Sequence, residues 1–256
     1  MSTPIIEVSK LGKDFRAGHA LVHALSDVSF AVTEGQFVTL VGPSGCGKST
    51  LLQILAGLIG PTRGEVRIDG KRISAPIPEK ISMVFQDPTL LPWKTALANV
   101  EFPLDLRGVA RPTRRERCSA LLELVGLREF AEHYPHELSG GMRQRVAIAR
   151  GLAQDPRLIL MDEPFAALDE QTRTRMGHDL LDIWEKTRKT VFFITHSLTE
   201  AIYLSDVVMV MSPRPGRILE TIAIDFPRPR ELDVIGSEAF GRVRNRIWHL
   251  IAEAEA

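Results

Sequence analysis

Gly42-Pro43-Ser44-Gly45-Cys46-Gly47-Lys48-Ser49 stands between the apolar run Phe37–Val41 and a helical run over residues 49–58. The pattern is Gly, four free positions, Gly-Lys and then Ser or Thr, at a strand-to-helix turn. Glycines let backbone N–H groups turn inward, in φ/ψ regions closed to other residues, so that the loop cradles phosphate oxygens. The helix that follows aims the positive end of its dipole at the same point. Lys48 is placed to reach the β- and γ-phosphates, and the Ser49 hydroxyl to bind Mg²⁺. A purely structural strand-to-helix turn is the competing reading. The segment up to Thr50 is expected to bind a nucleoside triphosphate.

Around this loop, short apolar runs alternate with longer amphipathic stretches, which is the pattern of an α/β fold. Further strands are expected at residues 5–9, 28–32, 65–69, 81–85, 158–161, 191–195, 207–211 and 218–224. The early ones, with turn glycines Gly35, Gly64 and Gly70, read as antiparallel and half exposed. The later ones, continuous and β-branched, read as parallel strands buried on both faces. Between Gln86 and Pro156 the strand pattern stops, and helices are expected at residues 95–106, 113–125 and 139–153. This predicts a P-loop core with an antiparallel β subdomain and an inserted helical subdomain, about residues 87–157, all within a single domain over 1–230. Pro227 and Pro229 close that core, and residues 231–256 add a helix with Phe240, Val243, Ile247, Leu250 and Ile251 on one face. This stripe covers the core or touches a second subunit.

The chain has 256 residues, with 32 Lys+Arg, 32 Asp+Glu and 44% hydrophobic residues. A chain of this size buries a core without a disulfide or metal staple. The balance excludes a disordered tail protein and removes the global basic charge on which sequence-independent nucleic-acid binders rely, so no nucleic-acid partner is expected. The basic stretch at residues 111–117 is interrupted by Glu116 and reads as a solvated helix start. Two cysteines, Cys46 and Cys118, point to a reducing, cytosolic setting. The start MSTPIIEVSK lacks the layout of a secretory leader, and the longest apolar run, Val207–Met211, is too short to span a membrane.

Leu158-Ile159-Leu160-Met161 runs into Asp162-Glu163-Pro164. Two carboxylates at the C-terminal edge of a buried strand lie where ligands bind in open α/β sheets. Asp162 is expected to hold Mg²⁺ through water, and Glu163, pointing elsewhere, to orient or deprotonate the attacking water. An acidic helix cap is the alternative. His196 ends the strand at 191–195, expected beside the acidic one and therefore near the γ-phosphate; a lone strand-end histidine is otherwise structural. Gln86 follows the strand at 81–85 and is either a metal contact through its amide oxygen or a solvated loop residue.

Leu138-Ser139-Gly140-Gly141-Met142-Arg143-Gln144-Arg145 resembles the signature of the ATP-binding cassette (ABC) ATPases, normally Leu-Ser-Gly-Gly-Gln. The other pieces stand in that family's order: the loop at 42–49, Gln86, the signature, Asp162-Glu163, Ala166-Ala167-Leu168-Asp169 and His196. Ser212-Pro213-Arg214-Pro215-Gly216-Arg217, Pro92-Trp93 and Met142 resemble the nitrate/sulfonate/taurine importer branch. The resemblance implies an ATP-hydrolysing, energy-coupling subunit at the cytoplasmic face of the membrane. It would dimerise head to tail around two ATP, dock on integral-membrane permease subunits, and be served indirectly by an extracytoplasmic substrate-binding protein. Ser139, Gly140 and Gly141 would act in trans on the partner's nucleotide, as an N-cap with exposed N–H groups at a helix start suits. Asp169 would lie at the dimer centre, also capping its helix. Phe15 falls where the family stacks an aromatic, usually Tyr, on adenine; it is otherwise a core residue.

Departures from the family pattern are Met142 for Gln, Ser197 for Asp and Ala166 for Ser. Trp93 either lines the groove for a transporter's cytoplasmic helix or is buried. Cys46, at a helix N-terminus beside Lys48, is expected to have a lowered pKa and to be thiol-reactive, with MgATP protecting it. A soluble cassette in iron–sulfur assembly is the main alternative function. A switch GTPase lacks support because no Asn-Lys-x-Asp segment occurs, and a small-molecule kinase would have no use for the signature.

Overall fold

The structure is a computed structural model and describes residues 4–18 and 20–255. In chain order it contains β1 (Pro4–Ala17), β2 (Ala20–Thr33), β3 (Phe37–Val41), α1 (Lys48–Leu55), β4 (Arg63–Ile68), β5 (Lys71–Arg72) and β6 (Ile81–Val84). Then follow α2 (Ala96–Leu106), α3 (Arg111–Leu124), α4 (Gly140–Ala153), β7 (Leu158–Asp162) and α5 (Glu170–Thr187). The chain ends with β8 (Thr190–Ile194), α6 (Leu198–Leu204), β9 (Val207–Met211), β10 (Ile218–Ala223) and α7 (Glu238–Glu255). These elements divide into two compact units: the segments up to Ile77 and from Arg188 onward form one, and Pro78–Thr187 the other. Among the described residues no helix is long and apolar enough to cross a membrane.

In the first unit, β3 carries Phe-Val-Thr-Leu-Val and is buried along its whole length. It runs parallel to β8 on one side, with Phe37 opposite Val191, and parallel to β9 on the other, with Val41 opposite Val210. A strand covered on both faces can spend nearly every position on apolar residues, which is why its alternation vanishes. The exception is Thr39, whose hydroxyl is satisfied by that of Ser205. β10 joins β9 antiparallel.

A second sheet in this unit has the order β2-β1-β4-β5 and is antiparallel. The β1–β2 hairpin is far longer than residues 5–9 and 28–32 suggest. Its register shifts between Val8 and Leu11, between Leu11 and Lys13, and again before Asp14, and Lys10 sits at φ 46. Each bulge breaks the period-2 alternation that marks a strand in sequence. Phe30 of β2 stacks on Phe192 of β8, with ring centroids 5.6 Å apart.

The C-terminal arm belongs to the first unit. Phe240 and Ile247 of α7 are fully buried, and Val243, Leu250 and Ile251 are half-buried. The helix packs on α6 and β9, so the stripe covers the unit's own core. Arg230 is buried and donates to the carbonyls of Ile202, Tyr203 and Ser205, closing the C-terminal end of α6. That short helix had no counterpart in the sequence reading.

The second unit is wider than residues 87–157, because it takes in β6, β7 and α5. β6 and β7 are parallel, with Ile81 opposite Leu158. α4 buries Val146, Ala147, Ile148, Ala149, Leu152 and Ala153, and a Cβ on its Gly151 would stand 2.9 Å from the Ser82 hydroxyl. Buried Asn99 of α2 takes the Leu91 N–H and gives its amide protons to the carbonyls of Leu91, Lys94 and Thr95.

Candidate nucleotide site

The loop at 42–49 joins β3 to α1, and its glycines are demanded by contacts within its own unit. A Cβ on Gly42 would lie 2.8 Å from the Met211 carbonyl oxygen. Gly47 has φ 111, and a Cβ there would lie 2.8 Å from Leu25 Cδ2 and 2.9 Å from the Ala24 oxygen. Gly45 also has positive φ, +73. Gly47 caps α1 without a side-chain bond, and the first turn of the helix holds no acidic residue. A helix start with no side-chain cap and no acid in its first turn keeps the partial positive charge of its N–H groups, as anion binding needs. Lys48 is 6% exposed, and its ammonium donates to the carbonyls of Gly42 (2.8 Å) and Pro43 (2.9 Å). Ser44 and Ser49 are exposed; Pro43 and Thr50 are half-buried.

Phe15 and His196 share this unit. The Phe15 ring is 40% exposed, so it is not a core residue, and the Lys13 ammonium lies 5.0 Å from its centroid. His196 follows β8 and is exposed. Ser197 caps α6 by accepting the Glu200 N–H, and the Thr195 hydroxyl donates to the Glu200 carboxylate at 2.6 Å.

Gln86, the signature, Asp162, Glu163 and Asp169 all belong to the second unit. Asp162 closes β7, and Glu163 follows at φ 44, a left-handed conformation that a glutamate adopts only at a cost of about 1–3 kcal/mol. Its carbonyl accepts the Ala166 N–H at 3.1 Å, which turns the chain sharply. Ser139 caps α4 through its hydroxyl on the Met142 N–H, and the first turn again lacks an acid. Arg143 braces the entry by donating to the Leu138 carbonyl at 2.5 Å. Asp169 accepts the Thr172 N–H at 3.0 Å as the start of α5 requires, and its bonds to Thr172 hold its pKa below the ordinary carboxylate value. Gln86 is exposed on the loop after β6.

The ABC transporter family model matches residues 25–166. The chain belongs to the ABC transporter family. Its ATPase cassette is 52% identical to a taurine import ATP-binding protein of Rhizobium johnstonii, over 81% of this chain and 79% of that protein. It is 46% identical to a nitrate import ATP-binding protein of Synechocystis, over 88% of this chain and 85% of that one. A solved dimeric ATP-binding cassette in a post-hydrolysis state, bound to ADP and phosphate, superimposes with TM-score 0.76 at 35% identity, covering 87% of this chain and all of that one. The fold is that of a P-loop ABC ATPase, and ATP is its nucleotide.

One expectation about the cassette is overturned. Cys46 is 1% exposed, and burial pushes its thiol pKa up, outweighing the Lys48 charge that pulls it down. Desolvation of a thiolate defeats the helix dipole here, so this thiol is not activated. Trp93 is 70% exposed, which excludes the buried reading. Arg150 also belongs to this region, although nothing in the sequence marks it. Its guanidinium donates to the carbonyls of Pro88 (2.7 Å) and Thr89 (2.9 Å) and to the Thr89 hydroxyl, tying the last turn of α4 to the loop that begins at Gln86. Gln144 adds a bond to the Phe85 carbonyl. Both lie on the helix that the signature opens, but a sequence names no partner for either.

Proposed function

We propose that the cassette is the ATP-hydrolysing, energy-coupling subunit of a membrane importer for a small anionic or zwitterionic solute of the taurine, sulfonate or nitrate kind. The relatives support this reading through the solutes they import. Glu163 carries the chemical part: a carboxylate held in left-handed backbone at the end of a buried strand is strain retained for a task. It acts as the base, or orients the attacking water, while Lys48 and the N–H groups of residues 45–49 hold the phosphates. His196 faces the γ-phosphate, Phe15 offers its ring to adenine, and Pro43, Ser44 and Cys46 line the loop by their backbone. Ser49, Gln86 and Asp162 each offer an oxygen donor, a hydroxyl, an amide and a carboxylate, of the kind a hard cation such as Mg²⁺ would take; when bound it would neutralise phosphate charge.

Two copies sandwich two ATP, each lending Ser139, Gly140 and Gly141 to the other's nucleotide, with Asp169 between the sites. A Cβ at Gly140 or Gly141 would meet only ordinary contacts, 3.5 Å to Leu168 and 3.4 Å to Thr172. Among the described residues nothing requires glycine there, so closeness to an outside group is the reason left. The permease docks on a cleft of about 520 Å³ in the second unit, walled by Phe85, Leu91, Phe102, Pro103, Leu106 and Arg150. Trp93 does not line it. The subunit then sits peripherally at the cytoplasmic face, and an extracytoplasmic binding protein delivers solute to the permease.

The test is the Glu163→Gln variant sized with and without MgATP. The expected result is turnover reduced by ~10²–10⁴-fold and a dimer that forms only with MgATP. A variant that still hydrolyses ATP at the wild-type rate would falsify the assignment of the base, and one that binds no nucleotide defeats the whole reading.

A further inference from the structure

The segment that follows β9 is locked against the outer side of the phosphate loop. Arg214 donates from both Nε (3.1 Å) and Nη2 (2.9 Å) to one acceptor, the carbonyl oxygen of Gly45. Two residues later Gly216 passes so close that a Cβ on it would stand 2.3 Å from the Cys46 carbonyl oxygen. The segment cannot drift, because Gly216 is itself pinned to β2: its N–H donates to the Ala24 carbonyl at 2.9 Å, and its carbonyl accepts the Ser26 N–H at 3.0 Å. Ser212 closes the turn by accepting the Arg217 N–H at 3.0 Å. The bracing segment, the loop and β2 all belong to the first unit.

The Gly45–Cys46 peptide is planar and trans, so its N–H points away from its carbonyl. With the Gly45 carbonyl drawn outward onto Arg214, the Cys46 N–H is turned into the loop. There its bond to the Pro43 carbonyl is long, 3.4 Å, which leaves it available to a stronger acceptor. A cationic donor on a carbonyl also polarises the whole peptide and makes its N–H a better donor. Gly45 at φ +73 needs such a restraint, since glycine left to itself has the widest choice of backbone conformations.

We propose that Arg214 is a positioning residue for the nucleotide, fixing the Gly45–Cys46 peptide so that the Cys46 N–H is presented to phosphate oxygen. The proposal rests on residues 42–49 being the triphosphate site. It assigns a task to the Ser212–Arg217 segment, which the sequence alone marks only as a branch resemblance, and it gives position 46 a role through its backbone and not its buried thiol.

The full-length protein tests this as wild type, Arg214→Ala, Arg214→Lys and Lys48→Ala, by displacement of a fluorescent ATP analogue with MgATP and MgADP, ATPase kinetics and nucleotide-free thermal midpoints. Arg214→Ala is expected to weaken both nucleotides and raise KM roughly 10- to 150-fold, the range of a lost hydrogen bond to a charged group, with kcat changed much less. Arg214→Lys, which keeps the charge but not the fork, recovers part of the loss. The nucleotide-free midpoint stays within a few degrees of wild type. Wild-type affinity in Arg214→Ala, beside a Lys48→Ala variant that no longer binds, overturns the proposal alone. Lys48→Ala binding as wild type does overturns the loop assignment, and the proposal with it. A midpoint loss with affinity intact makes Arg214 a structural brace and also defeats it.

Discussion

Gly47 and Gly141 both sit at the start of a helix assigned to phosphate, one in each unit, yet the chain treats them in opposite ways. Gly47 is fixed from inside: φ 111 and a contact of 2.8 Å to Leu25 leave no room for another residue. Gly141 has ordinary surroundings, its nearest would-be neighbour being Thr172 Cγ2 at 3.4 Å, and no positive φ. The phosphate loop is thus shaped by its own unit through Met211, Leu25, Ala24 and the segment around Gly216. The signature turn is left open on the side where a second molecule would bring its nucleotide. Internal demand shows in stability and external demand only in assembly, so substitutions in the two turns separate these quantities.

Gly47→Ala is expected to have the largest effect on folding. A strained φ and a clash with backbone and a buried leucine together cost about 2–4 kcal/mol. For a chain of this size that lowers the thermal midpoint by about 4–16 °C, and nucleotide binding is lost with it. Calorimetry that finds an unchanged midpoint would break the contrast on the first side, since Leu25 would then have yielded freely.

Arg150→Ala comes next. Three bonds from one guanidinium hold the loop after Gln86 to α4, and burial lowers the arginine pKa, a sign that the charge is desolvated there. Removing hydrogen bonds to a charged group costs about 1.5–3 kcal/mol. Amide exchange should quicken around residues 86–90 and leave the phosphate loop unchanged. Equal protection in variant and wild type would show that Gln144 and the backbone suffice.

The two cysteines repeat the comparison at smaller scale. Both thiols are raised by burial, but Cys46 has the Lys48 ammonium opposing the shift, whereas the Glu101 carboxylate pushes Cys118 further, to about 11 from an ordinary 9.0. An unfolded Cys118 ionises first, so the folded state holds the extra proton between those values. Its contribution is complete below pH 9 and fades as pH rises to about 11. The midpoint gap between wild type and Cys118→Ala should narrow by a few degrees over that window, measured by circular dichroism. A gap independent of pH would refute the shift.

Much of this is legible in the sequence. The phosphate loop, Asp162-Glu163 and the signature are contiguous, and contiguous chemistry survives in sequence. β3, β7 and β9 are legible because near-complete burial leaves an apolar run broken only by Thr39 and by Asp162 at the end of β7. The β1–β2 hairpin was half hidden by its bulges, and α6 by its seven residues. Arg150, Arg214 and Gly216 were illegible as site residues because each acts on a backbone carbonyl far away in sequence, and a carbonyl has no residue type to read. Cys46 misled for a related reason: the helix dipole and Lys48 are visible in sequence, but the burial that outweighs them is not.

Gly141→Ala should change folding least and is the sharpest probe of the contrast. Alanine is favoured over glycine inside a helix by roughly 0.5–1 kcal/mol, and at the helix start with ordinary contacts the gain should nearly cancel any crowding at Thr172. The midpoint is expected to stay within ~2 °C of wild type, with monomeric nucleotide binding unchanged. What should fall is the MgATP-dependent dimer of the Glu163→Gln background, by tenfold or more, because a methyl group on that turn would stand where the opposing phosphate approaches. Sedimentation of the double variant at graded protein concentrations reads this directly. A dimer as tight as that of Glu163→Gln alone would mean that the open side of the signature turn is mere surface. A lost midpoint would mean instead that Gly141 is as constrained from within as Gly47, and the distinction between the two turns would vanish.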